Sequence, residues 1–426
     1  MPETSAHLKH DRLRFGRRAV ALLFCAGVVD FLDRGSLGIA NGPIRAELHF
    51  SGMQIGALLS LFSLAYGLAQ VPVGSLLDRF GGRVLLGAGL LLWSAAQAAT
   101  ALVGSFGQFV PLRLLLGVGE APFFAAGVQS IEGWFPPEDR GWPTGLMNAS
   151  TMLSQAVAPP ILTLLMLHAG WRVMFTVLGG LGVLLALAWF PLYRDPVNHN
   201  LTPSAGGSDS PVSGPLAPGF VSEWLGLFRS PVMWGMLLGF SGINYTAWLY
   251  MAWLPGYLEV ARHVSLARTG LLAAVPFLLG ACGMFGSGLV ADALVRAGHD
   301  PLRCRRWLIL AGMVLSAGFT SFVADAASTR SAVLLIGGAL FCVHVAGTAA
   351  WGVAQFAAPP GRVATVASIQ NFGSFLVASV APWITGALLD RTHSFRLALL
   401  LCSGVTLGGA LAYAALVRGP IRLRES

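Results

Sequence analysis

Charge is what this chain has least of. Asp, Glu, Lys and Arg make up 11% of its 426 residues, and lysine occurs once, as Lys9. A soluble globular domain carries about 25% charged residues, so an ordinary water-soluble fold is excluded. Cysteine is scarce as well: Cys25, Cys282, Cys304, Cys342 and Cys402 are scattered, with no zinc-ligand spacing and no disulfide framework. They read as small hydrophobes. No phosphate-cradling glycine loop, metal-ligating cluster or nucleophile–base arrangement occurs, so neither an enzyme nor a cofactor is expected. The formal charge of +8 has no soluble face to gather on, which excludes a nucleic-acid partner. Residues 1–18 are polar and basic and no small-residue cleavage site follows, so a removable signal peptide is not expected.

What the chain has instead is apolar length. Runs free of Asp, Glu, Lys and Arg occupy 48–77, 84–112, 141–171, 173–193, 230–258, 269–291, 307–324, 331–361, 363–389 and 397–417. Each suits a transmembrane helix, which needs about 20 apolar residues. Two further stretches are long enough but interrupted: 19–41 holds Asp30, Asp33 and Arg34, and 106–131 holds Arg113 and Glu120. Together they predict an all-α integral membrane protein of twelve spans, numbered 1 to 12 in chain order, with the lipid bilayer as its solvent. Placing both termini in the cytoplasm leaves 18 basic residues inside and 7 outside, from Lys9 and Arg12 through Arg424 against Arg45, Arg172, Arg262, Arg268, Arg330, Arg391 and Arg396. That asymmetry follows the positive-inside rule. Arginine in place of lysine suggests a GC-rich bacterial genome, hence the inner membrane.

The chain also repeats itself. Residues 194–230 are expected to form a cytoplasmic linker, being rich in Pro, Gly and Ser over 195–222. They separate a six-helix bundle over 19–193 from a second over 231–417, with short cytoplasmic tails at 1–18 and 418–426. Gly74 to Asp78 closes span 2 as Gly288 to Asp292 closes span 8, and Asn148 precedes Pro159 by the same eleven residues that separate Asn371 from Pro382. Two similar halves facing each other are a common plan for a midplane site that opens alternately to either side.

At this point the sequence resembles a family. Gly74-Ser-Leu-Leu-Asp78-Arg79-Phe-Gly81-Gly82-Arg83 is similar to the loop between spans 2 and 3 of the major facilitator superfamily. Asp30-Phe-Leu-Asp33-Arg34, the run from Arg113 to Pro122, Trp134 to Gly141 and Trp253 to Leu258 resemble its anion:cation symporter family. The resemblance implies an importer of organic anions, including galactonate, glucarate and hexuronates, usually with protons, acting as a monomer. It implies that Asp33 and Glu120 couple protons, that Arg34 contacts the anion with Arg113 as the partner of Glu120, and that Tyr66 lines the site. It further implies that Gly74, Asp78, Arg79, Gly82, Arg83 and Asp292 latch the outward-open state. In the second half, Thr348, Trp351 and Asn371 fall where the family places a hydroxyl, a tryptophan and an asparagine around a polyol acid; Asn148 and Thr151 occupy the pseudo-symmetric span 5.

The residues support this reading by themselves. Asp30, Asp33 and Arg34 share one face of span 1, as Arg113, Gly117 and Glu120 share one face of span 4, where Gly117 is expected to leave room between the charges. Ionisable groups at the bilayer centre cost about 2.5–3.5 kcal/mol each. Arg34 and Arg113 can each hold a carboxylate bidentately, while Asp33 and Glu120 alternate between protonated and ionised forms, so that substrate and proton bind together. Asp30, where the family usually has asparagine, is either an extra titrating group or part of a polar helix face. Alternatives are structural ion pairing of the four charges, a proton antiporter exporting amphipathic compounds, and a non-transporting sensor. Phe31, Thr151 and Trp248 depart from the family pattern and leave the particular acid open.

Overall fold

A computed structural model of the chain describes residues 2–136, 139–196, 226–359 and 362–421, and among them every regular element is helical. Residues 197–225, most of the expected linker, lie outside the described residues, as do Glu138, residues 422–426 and the side chains of residues 2–13 and Asp78.

The twelve crossings are present, though helix boundaries and crossings do not coincide. Span 1 lies within the helix Pro2–Leu48. Gly52–Ala99 is continuous in hydrogen bonding but turns at Gly81 (φ 73°), which separates span 2 (Gly52–Leu77) from span 3 (Arg79–Leu102). Gly141–Leu192 likewise divides into spans 5 and 6 at Gly170 (φ 78°). A side chain at these φ values is strained, so glycine permits the reversals. At Gly81 a Cβ would also lie 2.6 Å from Asp195 Oδ2, so the Asp195 side chain would have to move. Span 4, expected over 106–131, runs from Phe106 to Trp134; its hydrogen-bond ladder is interrupted at Ala121, between Phe106–Glu120 and Pro122–Trp134, while Ala121 keeps helical angles (φ −54°, ψ −36°). Pro122 lacks the N–H that would continue the ladder. Span 11 is interrupted in the same way between Val363–Ser379 and Ala381–Thr392, before Pro382. Spans 7 (Pro231–Val260), 8 (Leu266–Arg296), 9 (Pro301–Val323), 10 (Thr329–Ala357) and 12 (Arg396–Leu416) are single helices.

Large apolar side chains face outward, such as Leu184, Leu289, Phe322 and Leu411, each at least three-fifths exposed. In water that surface would be prohibitive; against lipid it is the required one. Between helices, small residues bring backbones together. A Cβ on Gly119 would lie 2.9 Å from the Gly89 carbonyl, and one on Gly179 would lie 2.6 Å from the Ser94 carbonyl.

The two bundles meet along two seams, span 2 with span 11 and span 5 with span 8. At the arginine-poor ends, outer in the expected orientation, both seams are closed. Asp390 of span 11 accepts 2.7 Å hydrogen bonds from the backbone N–H groups of Gly52 and Met53 at the start of span 2. The N–H of Trp383 donates to Ser60 Oγ (3.0 Å). Gly56 packs on the Pro382 carbonyl and Gly270 on the Pro159 carbonyl so tightly that neither has room for a Cβ. At the arginine-rich ends nothing among the described residues lies within 4 Å of where a Cβ of Gly74, Gly145 or Gly288 would stand. Among the described residues the seams are closed on one side and parted on the other.

Candidate functional site

Five charged side chains are buried together between spans 1 and 4: Asp30, Asp33 and Glu120 are fully inaccessible, and Arg34 and Arg113 nearly so. The i, i+4 spacing lets Arg34 Nη2 donate to Asp30 Oδ1 (3.1 Å), while its Nε donates across to Glu120 Oε2 (2.8 Å). Arg34 rather than Arg113 is therefore the partner of Glu120, contrary to the expectation. Glu120 is the last residue of the first half of span 4, beside the interruption at Ala121. Arg113, seven residues earlier and almost two turns away, keeps Nε and Nη2 without hydrogen-bond partners, as do both oxygens of Asp33 and the outer oxygens Asp30 Oδ2 and Glu120 Oε1.

Gly117 also has a different task from the one its spacing suggested. A Cβ there would lie 2.5 Å from the Phe62 carbonyl and 2.9 Å from the Tyr66 nitrogen, so this glycine admits span 2 against span 4 rather than leaving space between charges. That approach brings Tyr66 and Phe62 to Arg34, whose guanidinium carbon is 4.6 Å and 5.6 Å from their ring centroids and 4.7 Å from that of Phe31 on its own helix. Cation–π attraction in desolvated surroundings holds the charge for about 2 kcal/mol. Asp33 lies behind it: Ser36 Oγ donates to the Asp33 carbonyl (2.7 Å) and accepts from Gln97 Nε2 of span 3 (2.9 Å).

Arg34 and Arg113 line one small cavity with Leu59, Phe62, Trp248, Met251 and Ala252. It sits between the bundles, because the last three residues belong to span 7. Phe375 of span 11 completes the cover, its ring 5.4 Å from Tyr66 and 5.7 Å from Trp248. One turn further toward the parted side, Asn371 Nδ2 donates to Gln70 Oε1 (3.3 Å) across the seam.

The other expected site residues are dispersed. Asn148 is exposed and lies eleven residues, within about 20° of helical rotation, from Pro159, so it faces the seam below the closed part. Thr151 is buried and its hydroxyl donates to the Asn148 carbonyl of its own helix (2.8 Å). Thr348 Oγ1 is buried without a partner. Trp351 is half-exposed and meets Phe240 edge-on at 5.4 Å. Of the loop residues, Arg83 donates through its N–H to Asp195 Oδ1 (2.9 Å) and through Nε to the Phe190 carbonyl (2.9 Å), Gly82 lies below the Tyr193 hydroxyl, and Arg79 and Asp292 are exposed. Sequence reasoning missed Phe62, Gln70, Gln97 and Phe375. Gln70 and Gln97 carried a signal, being amides in otherwise apolar spans; the two phenylalanines carried none, since an aromatic in a membrane helix usually only packs.

Residues 23–382 match the family described as the Major Facilitator Superfamily. The chain is 52% identical over 413 residues, covering 96% of itself and 90% of the relative, to the probable L-galactonate transporter of Escherichia coli (strain K12). It is 28% identical, covering 94% of each, to the hexuronate transporter of Bacillus subtilis (strain 168). Among solved structures, the bacterial homolog of the human lysosomal transporter Spinster, inward-facing and unoccupied, superposes with a TM-score of 0.79 at 18% identity over 95% of this chain and 97% of that one. Twelve spans in two pseudo-symmetric bundles agree with these likenesses: the chain belongs to the Major Facilitator Superfamily and is a membrane transporter, not an enzyme.

Proposed function

We propose that the chain is a proton-coupled importer of a sugar acid, with L-galactonate or a close aldonate as its substrate, in the anion:cation symporter family of this superfamily. Arg113 carries the reading. It is a buried cation with two unpartnered N–H groups beside the cavity between the bundles, where a carboxylate would satisfy it. The 52% identity to a probable L-galactonate transporter supports the substrate class.

Arg34 starts engaged. Protonation of Glu120 removes the charge that holds Arg34 Nε and releases the guanidinium to share the substrate with Arg113. Asp33, facing the cluster from behind, is the other proton-exchanging acid. The carboxylate of the substrate then replaces the one that was neutralised, so the loaded site closes without unpaired charge. Thr348, Asn371 and Asn148 line the path on the parted side and bind hydroxyls, and Trp351 borders them. The cavity between Arg34 and Trp248 is too tight for a six-carbon acid as it stands, so loading requires span 7 and span 11 to draw back. With both termini in the cytoplasm of a bacterial inner membrane, the form described above is inward-facing. The loop from Gly74 to Arg83 with Asp292 latches the opposite, outward-open form.

Purified protein in liposomes should accumulate labelled L-galactonate when the outside is made acidic, and stop when a protonophore collapses the gradient. Failure of every aldonate, aldarate and hexuronate to enter under that gradient would refute the reading.

A further inference from the structure

The charge cluster holds three acids but only two arginines. With Asp30, Asp33 and Glu120 ionised and Arg34 and Arg113 protonated, the buried site would carry one net negative charge in the hydrocarbon layer. An asparagine at position 30 would leave a neutral site; aspartate does not.

One guanidinium is forked between two carboxyl groups, with Arg34 Nη2 on Asp30 Oδ1 and Arg34 Nε on Glu120 Oε2. The remaining oxygens, Asp30 Oδ2 and Glu120 Oε1, are buried and lack a donor, and the guanidinium they share holds the two carboxyl groups side by side. Two ionised carboxylates only accept hydrogen bonds and repel; a single proton between them supplies the missing donor to one oxygen from the other. The other elements packed against this pair supply no further neutralising charge. Span 2 contributes Tyr66, span 3 the neutral Trp93 and Gln97 beside Asp33, and span 4 Arg113; spans 5, 7 and 11 have no Asp, Glu, Lys or Arg in the facing runs 141–171, 230–258 and 363–389.

We propose that Asp30 and Glu120 share one proton in the substrate-free carrier, a resident proton held between the two carboxyl groups that grip Arg34, in addition to the proton that travels with the substrate. The substrate-free site is then neutral with one proton bound, and the site loaded with a monoanion is neutral with two. The second proton goes to Asp33 or to the second carboxyl of the pair, and on release both it and the anion leave, while the resident proton stays. Only this transport consequence rests on the proposed proton coupling; the shared proton itself does not.

Infrared difference spectroscopy of the purified, substrate-free protein tests it without any transport. At neutral pH, with Glu259→Gln present throughout to remove a buried carboxyl outside the cluster, the otherwise wild-type protein should show the C=O stretch of one protonated carboxylic acid, sensitive to deuterium exchange. Asp30→Asn and Glu120→Gln should each abolish that band, because either substitution leaves one carboxylate facing Arg34 alone. Asp30→Glu should retain it. Absence of the band from the otherwise wild-type protein, or a band that survives Asp30→Asn, overturns the proposal, and the otherwise wild-type spectrum decides the first point even if a further variant fails to fold. Sugar-acid uptake by the same preparation is scored separately, so a wrong substrate and a wrong proton site give different results.

Discussion

A buried ion pair is poor evidence of stability, since desolvation offsets most of its Coulomb energy, but breaking one by deleting a partner is costly. Arg34 is bound to Asp30 and Glu120 at once. Arg34→Ala should therefore lose both substrate binding and transport, with an affinity loss of at least about thirtyfold from the ~2–5 kcal/mol that truncating a buried charge partner costs. Ligand-induced thermal shifts with L-galactonate measure it directly. Glu120→Gln should behave differently. The amide keeps the size of the side chain and mimics its neutral form, so exchange of internal for external substrate should persist while accumulation driven by a pH gradient disappears. Unchanged concentrative uptake in that variant would remove Glu120 from the coupling mechanism.

At the scale of elements, the seams decide which side is open. Gly56 and Gly270 occupy the fifth position of their helices, each 18 residues before the glycine that opens the repeated motif at Gly74 or Gly288. Each packs on the carbonyl of a proline, Pro382 or Pro159, that the eleven-residue spacing from Asn371 or Asn148 had already paired. The repeat thus extends to the closing contact itself. Gly56→Ala or Gly270→Ala should force the closed seam apart at a cost of about 1–3 kcal/mol, a shift of roughly five- to 150-fold between conformers. Spin-label distances across the arginine-poor ends of spans 2 and 11 should lengthen, and identical distances would show the contact to be incidental. Outside the spans, Trp171 Nε1 (2.6 Å) and Arg172 donate to Glu47 and hold its carboxyl below the ordinary value of 4.5. A depressed pKa gives stability that is complete above 4.5 and lost as pH falls through the lower folded value. Glu47→Gln should lower the melting temperature slightly at neutral pH, the group being half-exposed and the pair contributing less than about 1 kcal/mol. The difference from the wild type should vanish in acid.

For the whole molecule, the number of crossings, their two-fold repeat and the five buried charges were legible in the linear chain. Lipid imposes length and apolarity on every span, and a charge inside one is conspicuous against that background. Pairing was not legible. The face-sharing of Arg113 and Glu120 suggested that they neutralise each other, but helix spacing says only which residues can meet along one helix. The choice between Arg113 and Arg34 depends on how spans 1 and 4 pack, which brings Arg34 Nε to Glu120 Oε2. The aromatic cover from Phe375 and Trp248 was equally hidden, because it is assembled from two helices of the other bundle. The chain by itself determined a membrane protein of twelve helices with ionisable groups in its first and fourth, since hydrophobic length and charge are local properties. Which acid each arginine grips, which seam is shut, and that three acids face two cations around one closed space were decided only by tertiary packing, where groups 86 residues apart come within 2.8 Å.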